Sequence, residues 1–287
     1  MNRPLVSLTC VVILLGASLS LSAQEVERVS RTIDADGAKS MEIDIDIGAG
    51  ELDLSTADMA EAAKIEVYYT PRYVRYDIDY SVRQETGQMF LESSHRSRFH
   101  GDIDDLENEW TVELSNRYPT DLKFEMGACD SRVDFGGLPL TKLDVEIGAT
   151  SGFIDFSEPN PVRLEEFNLE AGASSLEVAN LANANCDRME FEIGAASCEL
   201  DFRGDFKGET EIYLEVGVGS VELVVPRDLN VRVEGDDGWF SSIDFHGLDL
   251  REVDDGIWET DDFARAEDRL IINAEVAMGS IDIYARR

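Results

Sequence analysis

The feature that most constrains this chain is a seven-residue phrase that keeps returning. Leu143-Asp144-Val145-Glu146-Ile147-Gly148-Ala149 is followed by Phe167-Asn168-Leu169-Glu170-Ala171-Gly172-Ala173 and by Met189-Glu190-Phe191-Glu192-Ile193-Gly194-Ala195. Ile212-Tyr213-Leu214-Glu215-Val216-Gly217-Val218 comes next. Upstream copies run from Ile43 to Ala49 and from Leu122 to Ala128, and a last one, from Ile272 to Met278, has Ala277 in place of glycine. Within each copy apolar and polar residues alternate with period two, the mark of a half-buried strand rather than a helix. A glycine then permits a bend where a Cβ would be costly. A second short strand follows, centred on Asp53, Asp134, Asp155, Glu177, Asp201, Glu222 or Asp282. Gly127, Gly148, Gly172, Gly194 and Gly217 are 21, 24, 22 and 23 residues apart.

One such unit cannot bury its apolar face alone, but stacked units share a continuous core. The links between strands are too short for crossover helices. The expected fold is therefore all-β: a single-domain β-solenoid-like stack of about seven strand-turn-strand repeats. Extra hairpin strands are expected in residues 60–117 and an insertion in 232–270, where the period is interrupted.

Charge narrows the partners. Sixty acidic against 25 basic side chains give a formal charge of −35. Nucleic acid is excluded, because its binding depends on Lys and Arg neutralising phosphates. An anionic membrane surface would repel the chain as well. Divalent cations, basic proteins and neutral glycans are left. The acid also keeps an exposed β surface soluble and discourages edge-to-edge association.

Residues 1–23 read as a secretory signal. Arg3 precedes an apolar run from Leu5 to Leu21, and Ser22-Ala23 offers a cleavage site before Gln24. The run is short and interrupted for a full span, so no membrane span is expected after cleavage. The mature domain is then 24–287, exported to a periplasm or to the cell surface. It retains Cys129, Cys186 and Cys198, whose spacings of 57 and 12 fit no zinc pattern. Buried free thiols are expected, with a Cys186–Cys198 bridge as the alternative.

No HExxH, Gly-x-Ser-x-Gly or P-loop is present. His95 and His100 sit with Arg96 and Arg98 in a polar stretch that reads as a solvated loop. The carboxylates are more informative. Two residues before each step stands Asp46, Glu125, Glu146, Glu170, Glu192, Glu215 or Glu275, and every second strand is centred on an acid. Stacked in register, each set would form an outward column of carboxylates about 5 Å apart, repelling by roughly 1 kcal/mol per neighbour in water. Such columns raise pKa values or recruit cations. Two readings compete: a solvated acidic face, and Ca²⁺ binding, with Glu146, Glu170, Glu192, Asp155, Glu177 and Asp201 as the metal candidates. No cofactor beyond calcium is suggested. A β-helix carbohydrate-active enzyme using paired carboxylates is the alternative function. An active site is a local exception in a repeat, though, and here the acid recurs evenly, which points to a non-enzymatic module. A third surface is aromatic. Tyr69, Tyr73 and Tyr76 lie with Arg72 and Arg75, and Tyr and Arg are enriched in binding hot spots. The same tyrosines could instead pack in the sheet core.

Several of these segments together resemble a known family. Trp110-x-Val112-x-Leu114, Pro119-Thr120-Asp121-Leu122 and the Gly-Ala steps at 127, 148, 172 and 194 are similar to the toast-rack domain of LiaF-type cell-envelope proteins and to related adhesin-like β-solenoid domains. So are the run from Val224 to Val233 and the closing stretch from Glu275 to Ile281. The resemblance covers about residues 40–287. It implies a cell-envelope or surface β module with no assigned chemistry, and it supplies no catalytic residues; an envelope protein or a glycan is the candidate partner.

Overall fold

Each alternating phrase forms a strand, and the strands stack in register with their apolar residues inward. The computed structural model describes residues 26–95, 107–149, 151–173, 175–235 and 241–286. The expected signal segment 1–23, His100 with Arg96 and Arg98, and residues 236–240 of the expected insertion lie outside the described residues. In chain order the strands begin with β1 (Glu27–Ile33), β2 (Ser40–Ala57), β3 (Ala63–Tyr69), β4 (Val74–Arg83), β5 (Thr86–His95) and β6 (Asn108–Ser115). They continue as β7 (Thr120–Asp134), β8 (Leu140–Ile147), β9 (Ser151–Asp155), β10 (Phe167–Ala171), β11 (Ser175–Ala179) and β12 (Arg188–Asp201). The rest are β13 (Glu209–Pro226), β14 (Asn230–Gly235), β15 (Ser241–His246), β16 (Leu250–Asp254), β17 (Ile257–Thr260) and β18 (Arg269–Arg286). Helical structure among the described residues is confined to 3-10 turns at Leu181–Ala184 and Phe263–Arg265. The domain is single and all-β, and none of its described helices is long and apolar enough to cross a membrane.

β2, β7, β12, β13 and β18 run straight through the bend, so one strand serves two ladders. The first ladder, built from the segments before the bend, has the order β5-β2-β7-β8-β10-β12-β13-β18-β14, all parallel. The second, from the segments after it, has the order β6-β2-β7-β9-β11-β12-β13-β18-β15, also parallel. Pairing is residue to residue at each Gly step. Ile45, Phe124, Val145, Leu169, Phe191 and Leu214 therefore form one inward row. All six are buried. Phe135, Phe156, Phe167 and Phe191 pack ring against ring at centroid distances of 5.7, 5.9 and 5.5 Å. Buried asparagines close the return side: Asn160 Nδ2 donates to the Leu140 and Ala184 carbonyls, and Asn183 Nδ2 to that of Phe156.

The interrupted regions differ from expectation. Hairpin strands do occur in 60–117: β4 pairs antiparallel with β5, and β3 pairs antiparallel with β6 and β1. Yet β5 and β6 also extend the parallel ladders as a rung outside β2. The 232–270 insertion likewise contributes β15, which with β14 makes a rung outside β18. Among the described residues there, β16 and β17 form a hairpin. The first and last copies of the phrase are thus not the ends of the stack, because a strand pairs wherever its register and apolar face fit, whatever its place in the chain.

Candidate functional site

The first acidic column forms as the period-two pattern requires. Asp46, Glu125, Glu146, Glu170, Glu192, Glu215 and Glu275 occupy successive rungs in register. Glu92 on β5 extends the row beyond Asp46. Extra strands are expected from the sequence in residues 60–117, but the rung that Met89–Ser93 joins there is set by long-range pairing. Beside this column runs the line of glycines, and together they line a shallow groove of about 650 Å³. Few cations answer the charge. Lys123 pairs with Glu125 and lies 3.5 Å from Glu146. The Asp46 carboxyl is pushed above the ordinary aspartate value by desolvation first, then by Glu125, Glu92 and Asp44, with Lys123 opposing. Asp44, one polar position earlier on β2, is raised mainly by desolvation too.

The second column does not form as one line. Asp53, Glu177, Glu222 and Asp282 share a row, in which the rungs between are filled by Arg132, Phe153 and Glu199. Asp134 and Asp155 pair with each other two residues further on, and Asp201 lies opposite Val224. The cause is spacing. Asp53, Glu177, Glu222 and Asp282 stand five residues after the step, whereas Asp134, Asp155 and Asp201 stand seven after it. Register is fixed at the step, so the two groups separate. Asp155 accepts from Asn180 Nδ2 at 2.7 Å, and the buried Asp201 accepts from Arg203 Nε at 2.8 Å. Of the metal candidates, Glu146, Glu170 and Glu192 are adjacent on one ladder, while Asp155, Glu177 and Asp201 are drawn apart. Among the described residues no three or more His, Cys, Asp or Glu side chains are grouped to hold a metal ion.

Aligning the copies on the glycine exposes a row that the acid-centred alignment missed. Three residues after each step stand Glu51, Asp130, Ser151, Ser175, Ser197, Ser220 and Ser280. The constant spacing is the signal that reveals it.

Tyr69 and Tyr76 come together, their rings edge to face at 4.8 Å, with Tyr76 also 6.3 Å from Trp110. Both pack half-buried against the core. Tyr69 Oη donates to Glu27 Oε2. Tyr73 stays in the turn before β4, with Arg72 5.3 Å from its ring. His95 is exposed at the end of β5, and His246 on β15 lies 2.9 Å from Asp282 and stacks on Tyr284. Cys129, Cys186 and Cys198 are free, buried thiols, each pushed up to about 12 chiefly by desolvation.

Residues 22–179 match the N-terminal domain of toast_rack, DUF2154. No curated protein matches the sequence. Among solved structures, a candidate cell adhesion protein from Clostridium sporogenes aligns over 91% of this chain and 100% of its own, at 16% identity and a TM-score of 0.47. A candidate adhesin from Bacteroides fragilis covers 91% and 98%, at 8% identity and a TM-score of 0.39. A candidate lipid binding protein from Parabacteroides distasonis covers 91% and 97%, at 12% identity and a TM-score of 0.34.

Proposed function

The chain belongs to the toast-rack family, and on that premise we propose that it is an exported, non-enzymatic module of the cell envelope or surface, working through its long faces rather than at one catalytic point. The observation that carries this is the unbroken carboxylate row from Glu92 through Asp46 to Glu275, one acid on every rung. General acid-base work needs two titratable groups whose environments differ; a row of like neighbours supplies a field instead. Export after cleavage at Ala23 would put that field outside the cytoplasm, where millimolar calcium could condense on it.

Fractionation with mass spectrometry of the N-terminus tests the reading. The protein should be recovered from the envelope, periplasm or medium beginning at Gln24. Crosslinking of that fraction, once in calcium and once in chelator, should trap an envelope component. Uncleaved chain confined to the cytoplasm would overturn the proposal.

A further inference from the structure

The two ends of the stack differ. Among the described residues β1, β4, β15 and β16 each pair on one side only. β1 and β4 close one end, β15 and β16 the other, and the outer edge of each can template a further strand. β1 is antiparallel to β3, and β3 to β6, so β1 runs with the second ladder, as β15 does. Through β17 and β14, β16 runs with the first ladder, whereas β4 runs against it. A copy shifted along the stack axis would bring β1 beside β15 as a parallel pair and β4 beside β16 as an antiparallel one. The ends are also stepped in opposite senses. Beyond β2 the second ladder adds β6, β3 and β1, and the first adds β5 and β4. Beyond β18, among the described residues, the second adds β15 and the first adds β14, β17 and β16. The ladder that projects at one end therefore recedes at the other.

Charge divides the ends as well. Segments 27–33 and 72–83 carry Arg28, Arg31, Arg72, Arg75 and Arg83 against Glu27, Asp77 and Asp79, in a chain whose net charge is −35. Segment 244–262 carries eight acids against Arg251 alone. Arg72, Arg75 and Arg83 are exposed and have no ion-pair partner among the described residues. Apolar side chains are half covered at both ends. Ile33, Tyr76, Ile78 and Tyr80 pack against the core at the first, and Phe245, Leu250 and Trp258 at the second, all still partly exposed. Val253 on β16 is 38% exposed.

We propose that a second copy of this chain docks head to tail, its β15/β16 end on the β1/β4 end of the first. The inference goes beyond the surface-module reading and does not depend on it. An unrelated acidic partner would answer the arginine end alone; a second copy answers strand direction, step and charge at both ends together. Like ends repel, arginines facing arginines or acids facing acids, so the charges on these edges select head-to-tail contact over the alternatives. The acid elsewhere on the chain is screened beyond about 8 Å at physiological salt, which leaves the contacting charges to decide. A head-to-tail contact does not close on itself, so the product is an open row of stacks with a shared axis.

Sedimentation velocity of the protein as recovered from cells, at about 5 to 500 μM, tests this; contacts are expected in the roughly micromolar-to-millimolar range. The sedimentation coefficient should rise with concentration without levelling at a dimer. Raising NaCl from about 0.15 to about 0.5 M should weaken association several-fold. Arg75→Glu with Arg83→Glu should leave a monomer, and so should Asp249→Arg with Glu252→Arg, each with an unchanged melting midpoint by circular dichroism. Mixing the two variants should restore assembly, because every end then meets its opposite charge. A wild-type monomer throughout the range, a dimer that saturates, or a mixture that stays monomeric would each overturn the inference. So would capture of poly-glutamate at the arginine end by a protein that never self-associates, which would assign that end to an acidic partner. Purified protein reports on this inference alone; the fractionation experiment reports on the surface reading, so the two can fail separately.

Discussion

Gly127 cannot gain a methyl group without moving backbone: an added Cβ would sit 2.2 Å from the Gly48 carbonyl oxygen. That is a different requirement from a left-handed φ. The sequence marks where the chain bends, but the glycine is needed because the rung beneath comes so close, and closeness between rungs is invisible in one strand. The gap widens along the stack, to 2.6 Å at Gly148, 2.9 Å at Gly172 and 3.2 Å at Gly194. Alanine substitutions should therefore destabilise in that order, Gly127 most, by about 1–3 kcal/mol at the tight end and less at Gly194. Urea midpoints of the four single variants give the ranking. Equal losses at all four would mean that backbone conformation, not contact, selects glycine. Other residues were legible for the ordinary reason. Phe124, Phe135, Phe156, Phe167 and Phe191 are buried where the alternation puts them. Tyr76 was ambiguous because a tyrosine can serve core and surface at once.

At the scale of the element, the alternation of β2, β7 and β12 told which residues face out, and the Gly step told how they line up. The first acidic column could be read because its members stand at one fixed distance before the step. The second could not, since the triplets around Asp134, Asp155 and Asp201 look like the others but begin two residues later. The formed column has a consequence for pH. Asp44 and Asp46 both have carboxyl pKa values above the ordinary 3.8. Folding thus favours their protonated forms. Their contribution to stability is complete below 3.8 and is lost as pH rises through the raised values. Taking the protein from about pH 7 down to about pH 4 should raise its urea midpoint through these two groups. Asp44→Asn with Asp46→Asn should lift the midpoint at neutral pH and flatten the profile. A wild-type midpoint that falls steadily over this window, unchanged in shape by the double substitution, would show that the column carries no strain.

At the scale of the whole molecule, the order of the stack is not the order of the chain. β2 sits between β5/β6 and β7, and β18 sits between β13 and β14/β15. Local pattern could not reveal this, because Met89–Ser93 or Val231–Val233 reads as a plain strand whichever rung it joins. β2 and β18 are thereby each locked one rung inside the stack. β18 pairs with β13 along nearly its whole length and carries β14 and β15 on its other side. A chain stopped at residue 268 would lose an internal rung, leaving β14 and β15 without their parallel partner and the apolar face of β13 open to water. It should show no cooperative unfolding transition. Replacing the β16–β17 hairpin with a short Gly-Ser link should behave differently: its residues are exposed or half-buried, and it meets the ladders at an edge, through the β14–β17 pairing and the packing of Trp258 on Phe245 of β15. That variant should keep a single transition at a modestly lower midpoint, followed by circular dichroism in urea. If the chain ending at 268 unfolded cooperatively, the stack would be a sum of nearly independent rungs, as in open-ended repeat arrays, and its interleaved ends would have no role in stability.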